Sequence, residues 1–173
     1  MRDLLIVVDM QNDFIDGALG TKEAVSIVPN VKKKIEEFQG EVLFTRDTHF
    51  DNYMETQEGK NLPVKHCIKD TEGWQIRSEL DALRKTEAID KVTFGSSELG
   101  KKLIELDKEE KINTITVIGL CTDICVISNA MIAKAFLPEV PIIVDAKCCA
   151  GVSVETHENA LKAMEVCQIK VER

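Results

Sequence analysis

The feature that most constrains this chain is a rhythm: short apolar runs of strand length, spaced by longer stretches with helical periodicity. Leu4–Val8 opens the series, and Glu41–Thr45, Thr114–Gly119, Pro141–Val144 and Gln168–Val171 continue it. A weaker run passes through Ala88–Val92. Runs that are apolar on both faces suit parallel strands covered by helices. Between them, Val28–Phe38 sets Val28, Val31, Ile35 and Phe38 on one face, and Ser97–Leu106 groups Leu99, Leu103 and Leu106. Cys125–Phe136 is apolar nearly all round, which predicts a buried helix, and Val154–Val166 sets Ala160, Leu161 and Met164 opposite Glu158, Lys162 and Glu165. This alternation predicts an α/β fold of three layers, α/β/α, doubly wound around a mostly parallel sheet. At 173 residues the expectation is a single domain over 1–173, long enough to bury its core without disulfide or metal staples.

Charge and cysteine usage narrow the setting. The chain carries 22 basic and 30 acidic side chains, a net charge of −8. Binding a phosphate backbone needs a basic face, so nucleic acid is not an expected partner. The apolar run near the N-terminus is too short for a signal-peptide core and far too short to span a bilayer, so no membrane association is expected. In a cytoplasmic setting, Cys67, Cys121, Cys125, Cys148, Cys149 and Cys167 are expected to be free thiols.

In open α/β sheets, sites form beyond the carboxyl ends of the strands. That rule selects Asp9 after the first strand, Asp47 and His49 after the second, Lys91 at the end of the weak one, and Cys121 and Cys125 after Thr114–Gly119. At a strand-to-helix turn Cys125 would feel the positive end of a helix dipole, which predicts a lowered thiol pKa and N–H groups that can hold an oxyanion. The same position also suits a buried helical cysteine. Asp9 and Lys91 read either as a general base with a supporting ammonium or as a buried structural ion pair. Asp13 and Asp16 lie close by in sequence.

The stretch Arg46–Arg77 is long, polar and without clear period, and it holds two of the three histidines and the only tryptophan. Loops of that length in compact domains are often functional. Asp47 and His49 alternate toward one side of an extended segment, His66 can close the set, and Glu58 offers a fourth donor. Carboxylate and imidazole suit a divalent ion: Zn²⁺, or Mn²⁺ or Fe²⁺. The same residues also read as surface histidines in a polar loop. Cys67 is a rival ligand without knuckle spacing. His157 reads as a solvated or capping residue at the start of the last helix, and Cys67, Cys148, Cys149 and Cys167 as packing residues. No Gly-rich phosphate motif is present.

Taken in order, DMQNDF with Asp9, RDTH, LPVKHC, Lys91 and GLCTDICV with Cys125 resemble the isochorismatase-like cysteine hydrolase superfamily, and within it the nicotinamidase (pyrazinamidase) branch. The resemblance covers nearly the whole chain. It implies a catalytic triad of Asp9, Lys91 and Cys125, and metal ligation by Asp47, His49 and His66 with Glu58 at a compatible spacing. It places a non-proline cis peptide at Leu120–Cys121, which would aim the N–H of Cys121, with that of Cys125, at an oxyanion. The family's aromatic wall falls on Phe14, with Phe94 opposite. Two positions depart from the pattern: Cys121 stands where alanine is common, and Leu62 stands where a tryptophan is usual, while Trp74 follows the second histidine. The implied activity is hydrolysis of a small-molecule amide, nicotinamide or pyrazinamide, to the acid and ammonia, by a homo-oligomer as family members often are. The alternatives on this fold are hydrolysis of ureido or carbamoyl amides with the same triad, and an isochorismatase-type vinyl ether hydrolysis needing neither thiol nor metal.

Overall fold

The computed structural model describes residues 1–173 and contains one six-stranded sheet. Its strands are β1 (Arg2–Val8), β2 (Glu41–Asp47), β3 (Ile89–Lys91), β4 (Ile112–Leu120), β5 (Ile142–Ala150) and β6 (Lys170–Glu172), in spatial order β3-β2-β1-β4-β5-β6. Every pairing is parallel. Helices fill the crossovers: α1 (Asn12–Ile15), α2 (Lys22–Glu37), α3 (Gln57–Asn61), α4 (Ser78–Asp81), α5 (Ser97–Glu109), α6 (Ile127–Phe136) and α7 (Val154–Val166). No helix is long and apolar enough to cross a membrane.

Strand alternation divides the core into two layers. Leu4, Ile6 and Val8 of β1 face α5, α6 and α7, where Leu103, Ala130 and Leu161 meet them. Leu5 and Val7 face α1, α2 and α4, against Phe14, Val31 and Leu80. Residues 4 to 8 of β1 are fully buried, so burial of this strand alone contributes on the order of 10 kcal/mol, an upper bound for an extended unfolded chain. The strand order reverses between β1 and β4, and the crevice at their carboxyl ends is where a doubly wound sheet places its site.

Three elements differ from the periodicity reading, each for a local reason. Helix α2 begins at Lys22, six residues before the expected start, because the Thr21 hydroxyl caps it by accepting the Ala24 N–H at 3.0 Å. Pro29 sits inside it; the carbonyl left without a donor is that of Val25, on the exposed side. Strand β5 runs on to Ala150 through an irregularity, because the excursion at its middle is tied to α2: Lys34 pairs with Asp145 at 2.8 Å and Asn30 donates to the Lys147 carbonyl at 2.9 Å. The apolar stretch from Cys125 does not start as α-helix; Thr122–Val126 form one π-helical turn, and α6 follows from Ile127.

Gly119 holds β1 and β4 together at the switch point. Its φ is +119°, and a Cβ there would stand 2.1 Å from the Val8 carbonyl oxygen. Gly119→Ala is expected to destabilise the fold by about 2–5 kcal/mol, read as a lowered urea midpoint. An unchanged midpoint would show that the strands can part without cost.

Candidate active site

Register explains why the distant residues meet. Val8 of β1 is flanked by Thr45 of β2 and Gly119 of β4, so Asp9 emerges between the ends of both. Asp47 and Lys91 are direct partners at the end of the β2–β3 ladder. Asp9 adopts a positive φ of 47° and is wholly buried. Its N–H donates to the Thr45 carbonyl at 3.2 Å, and its Oδ1 accepts the Thr45 hydroxyl at 2.7 Å.

The Lys91 ammonium sits at the centre. Nζ lies 2.6 Å from Asp9 Oδ2 and 3.5 Å from Asp47 Oδ1. It donates to Cys125 Sγ at 3.4 Å and to the Thr93 carbonyl at 3.1 Å. Burial works against its charge, yet Asp9, Cys125 and Asp47 outweigh burial and hold Lys91 protonated, above the ordinary lysine range. Burial pushes Asp9 upward, Lys91 opposes that, and Asp47 adds to it; the net direction is up.

Cys125 corrects one expectation. The thiol is not lowered by its position: burial first, and the Asp9 carboxylate second, push it well above the ordinary value despite Lys91. Cys125 is therefore held as the thiol, and the Lys91 ammonium, in contact with both Asp9 Oδ2 and Cys125 Sγ, links the two groups. Lys91 stands where it can face an anion on either Asp9 or Cys125.

The second cluster is Asp47, His49, Glu58 and His66, whose ligand atoms all lie within 4.8 Å of one another. His49 Nε2 is 3.0 Å from Asp47 Oδ2 and 3.5 Å from Glu58 Oε1. His66 Nε2 is 3.5 Å from Asp47 Oδ2 and 3.6 Å from Glu58 Oε1. Donors about 2.0–2.1 Å from a tetrahedral ion stand roughly 3.4 Å apart, so the cluster is compatible with a divalent metal. Its charge points the same way. Burial would lower His49, yet Asp47 and Glu58 raise it to about 9, so the two carboxylates draw a proton where a cation can serve. His66 Nδ1 meets the Val64 carbonyl at 2.8 Å, which aims Nε2 inward. Tyr53 packs against both imidazoles and donates its hydroxyl to the Leu62 carbonyl at 2.8 Å.

Both clusters open into one cavity of about 550 Å³. Cys125, Asp47, His49, Glu58 and His66 reach its surface; Asp9 and Lys91 lie behind it. Phe14, Phe94, Leu62 and Cys121 add to the walls. The peptide Leu120–Cys121 is cis. The side chain of Cys121 packs against the core layer opposite to that of Cys125. Trp74 does not replace Leu62 in the wall; it is buried beneath the loop, donating to Thr48 Oγ1 at 2.9 Å under the Arg46 guanidinium. Cys67, Cys148 and Cys149 are buried, whereas Cys167, expected to pack, is exposed just past α7. Asp13 and Asp16 serve elsewhere: Asp13 accepts the Cys67 N–H at 2.7 Å, and Asp16 pairs with Arg77 at 2.6 Å.

Two buried amides escaped the sequence reading. Gln11 accepts the Asp47 N–H at 2.7 Å and donates to the carbonyls of Asp47 at 2.8 Å and Trp74 at 2.9 Å. Asn129 accepts the Ser96 N–H at 3.0 Å and donates to the carbonyls of Phe94 at 3.0 Å and Cys125 at 2.8 Å. The signal for Asn129 was present, as an amide within a largely apolar helix.

Comparison with known proteins places the whole chain and its fold among relatives. The family model described as the isochorismatase domain matches residues 3–172. The nicotinamidase/pyrazinamidase of Mycobacterium tuberculosis is 27% identical over 188 residues, with 96% of each chain covered. The structure of the Pyrococcus horikoshii pyrazinamidase in complex with zinc superposes with a TM-score of 0.80 at 26% identity, covering 100% of this chain and 99% of that one. The N-carbamoylsarcosine amidase of Thermoplasma acidophilum gives 0.75 at 28% identity, with 100% and 96% covered.

Gln11 is the clearest test of how the site is held. Gln11→Leu leaves three buried backbone groups without partners, at about 1–3 kcal/mol each. The expected result is a loss of about 3 kcal/mol or more in urea unfolding; a loss under 1 kcal/mol would mean that other groups hold Asp47.

Proposed function

This chain belongs to the isochorismatase family of hydrolases, and we propose that within it the protein is a nicotinamidase. It converts nicotinamide, and pyrazinamide, to the acid and ammonia through a thioester on Cys125. The observation that carries this reading is the four-donor cluster opening into the same cavity as Cys125. Asp47, His49, Glu58 and His66 would hold Zn²⁺, or Mn²⁺ or Fe²⁺ on the same donors. Such an ion, when bound, supplies a Lewis acid that takes the lone pair of a ring nitrogen and orients the ring.

The chemistry turns on moving the Cys125 thiol proton to Asp9. Asp9 takes the thiol proton as Sγ attacks the amide carbonyl, and the Lys91 ammonium stabilises the sulfur while charge develops on it. The N–H groups of Cys121 and Cys125 receive the oxyanion. Asp9 then gives its proton to the departing nitrogen, the C–N bond breaks, and ammonia leaves. Water adds to the thioester with Asp9 again as base, and the proton returns to Sγ as the acid is released. Phe14 and Phe94 sandwich the ring, and the deep burial of Asp9 and Lys91 keeps bulk water from competing for the proton. We place the enzyme in the cytoplasm, returning the free acid to pyridine nucleotide synthesis.

A second reading has one observation in its favour, the 28% identity to a carbamoylsarcosine amidase. Ureido amides lack the ring nitrogen that would use the metal. Two measurements separate the readings. Zinc-loaded protein is expected to release ammonia from nicotinamide faster than from N-carbamoyl amino acids, and chelation is expected to abolish the first activity. No ammonia from nicotinamide would overturn the assignment. Cys125→Ala is expected to lower kcat by at least about 10⁴-fold while the bound-metal stoichiometry stays unchanged; retained turnover would sink the thioester route.

A further inference from the structure

His157 is neither solvated nor a cap. Helix α7 is capped by Ser153, whose hydroxyl accepts the Thr156 N–H at 3.1 Å in a capping box. The His157 ring turns back toward the π-helical turn instead, with Nδ1 2.7 Å from Thr122 Oγ1. Thr122 is wholly buried, and this is its only side-chain hydrogen bond. The neighbouring residue repeats the link: both carboxylate oxygens of Asp123 accept the Val152 N–H at 3.2 Å. Gly151 makes room for the closure, since a Cβ there would stand 2.9 Å from His157 Cβ. The turn that presents Cys125 is thus fastened to the start of α7 at two consecutive residues.

We infer that His157 is a positioning residue, holding the nucleophile turn in its reactive geometry through the Thr122 hydroxyl. This rests on Cys125 being the nucleophile, as proposed above. The contact satisfies both partners only with a neutral ring. A neutral ring with its hydrogen on Nε2 accepts the Thr122 hydroxyl at Nδ1 and leaves no buried donor unpaired. A doubly protonated ring can only donate, and the Thr122 hydrogen is then stranded in the core, at a cost of about 1–3 kcal/mol. The groups facing the ring are Glu158 on α7, with Oε1 4.0 Å from Nε2, Asp123 on the π-helical turn, and Arg173 beyond β6. Burial outweighs the two acids and keeps His157 below the ordinary histidine value, so the neutral form prevails at neutral pH. Acid therefore loosens the turn.

The test compares variants of the zinc-loaded enzyme with nicotinamide as substrate. His157→Leu and Thr122→Val are each expected to lower kcat about tenfold or more with KM within about twofold, since a small displacement of a reacting group costs rate. The double variant is expected to match either single one, because both remove the same contact. Asn places an acceptor near the position of Nδ1, so His157→Asn is expected to stay within about threefold of wild type. It should also lack the acid decline in kcat that His157 imposes. Alkylation of Cys125 by iodoacetamide, followed by mass spectrometry, is expected to change in step with kcat. Wild-type kcat in His157→Leu, equal losses in His157→Leu and His157→Asn, or additive losses in the double variant would each overturn the inference. Should His157→Leu fail to fold, Thr122→Val against Thr122→Ser decides: loss only in the valine variant supports the contact, and equal activity refutes it. Cys125→Ala, run alongside, separates the failures. If it is inactive while His157→Leu is normal, only this inference falls; if it is active, the nucleophile assignment falls and takes this inference with it.

Discussion

The structure depends on one buried positive charge. Lys91 is almost completely enclosed, and an isolated ammonium there would cost several kcal/mol or simply lose its proton. It remains charged because three strand ends converge on it: Asp9 from β1, Asp47 from β2, and Cys125 after β4. The dependence runs both ways. Without Lys91, two carboxylates that both face the core would repel each other with nothing between them, and Asp9 would stay protonated. The all-parallel register is thus an electrostatic requirement as well as a packing solution, since a shift of one residue in β2 or β3 would separate Asp47 from Lys91.

Asp47 gives this arrangement its reach. One oxygen faces Lys91, the other faces both imidazoles, and so a single carboxylate joins the proton-handling cluster to the metal-compatible one. Charge added at either cluster is felt at the other through a few ångströms of low-dielectric interior. That is the physical reason for fixing the Asp47 backbone so firmly. Gln11 grips both its N–H and its carbonyl, and the strand pairing holds the rest.

How much of this could be read from the sequence follows from what each residue does. The first strand end was legible because the apolar run Leu4–Val8 stops abruptly at Asp9; Asp47 and Lys91 were reached by the topological rule that makes strand ends meaningful, Lys91 from a weak run. The metal-compatible set was only half legible: two histidines and an aspartate in one long loop suggested it, but the same residues also read as a polar surface. The family resemblance added the grouping, which spacing alone left open between nucleophile and packing cysteine. Other features carried no such mark. The direction of the Cys125 pKa depends on burial and on Asp9, which position relative to a helix cannot reveal. Gln11, Asn129 and Thr122 act on backbone or through a neighbour, and an amide or hydroxyl in that role looks like any other. His157 misled for a related reason: polar residues at the start of a helix are usually caps, and only tertiary structure shows that Ser153 already fills that place.

These supports share a purpose that the chemistry makes necessary. On the mechanism proposed above, a thiol raised by burial reacts only while Asp9 can take its proton, so Sγ, Asp9 and Lys91 must be held closely in place. Yet Cys125 sits in a π-helical turn, a local geometry that the chain seldom adopts without tertiary help. The turn is accordingly held from both sides. Asn129 ties the Cys125 carbonyl to the segment after Lys91, and Thr122 and Asp123 tie its beginning to α7. The position of Cys125 is therefore set by the sheet and its two flanking connections, elements that lie outside the Asp9–Lys91–Cys125 cluster.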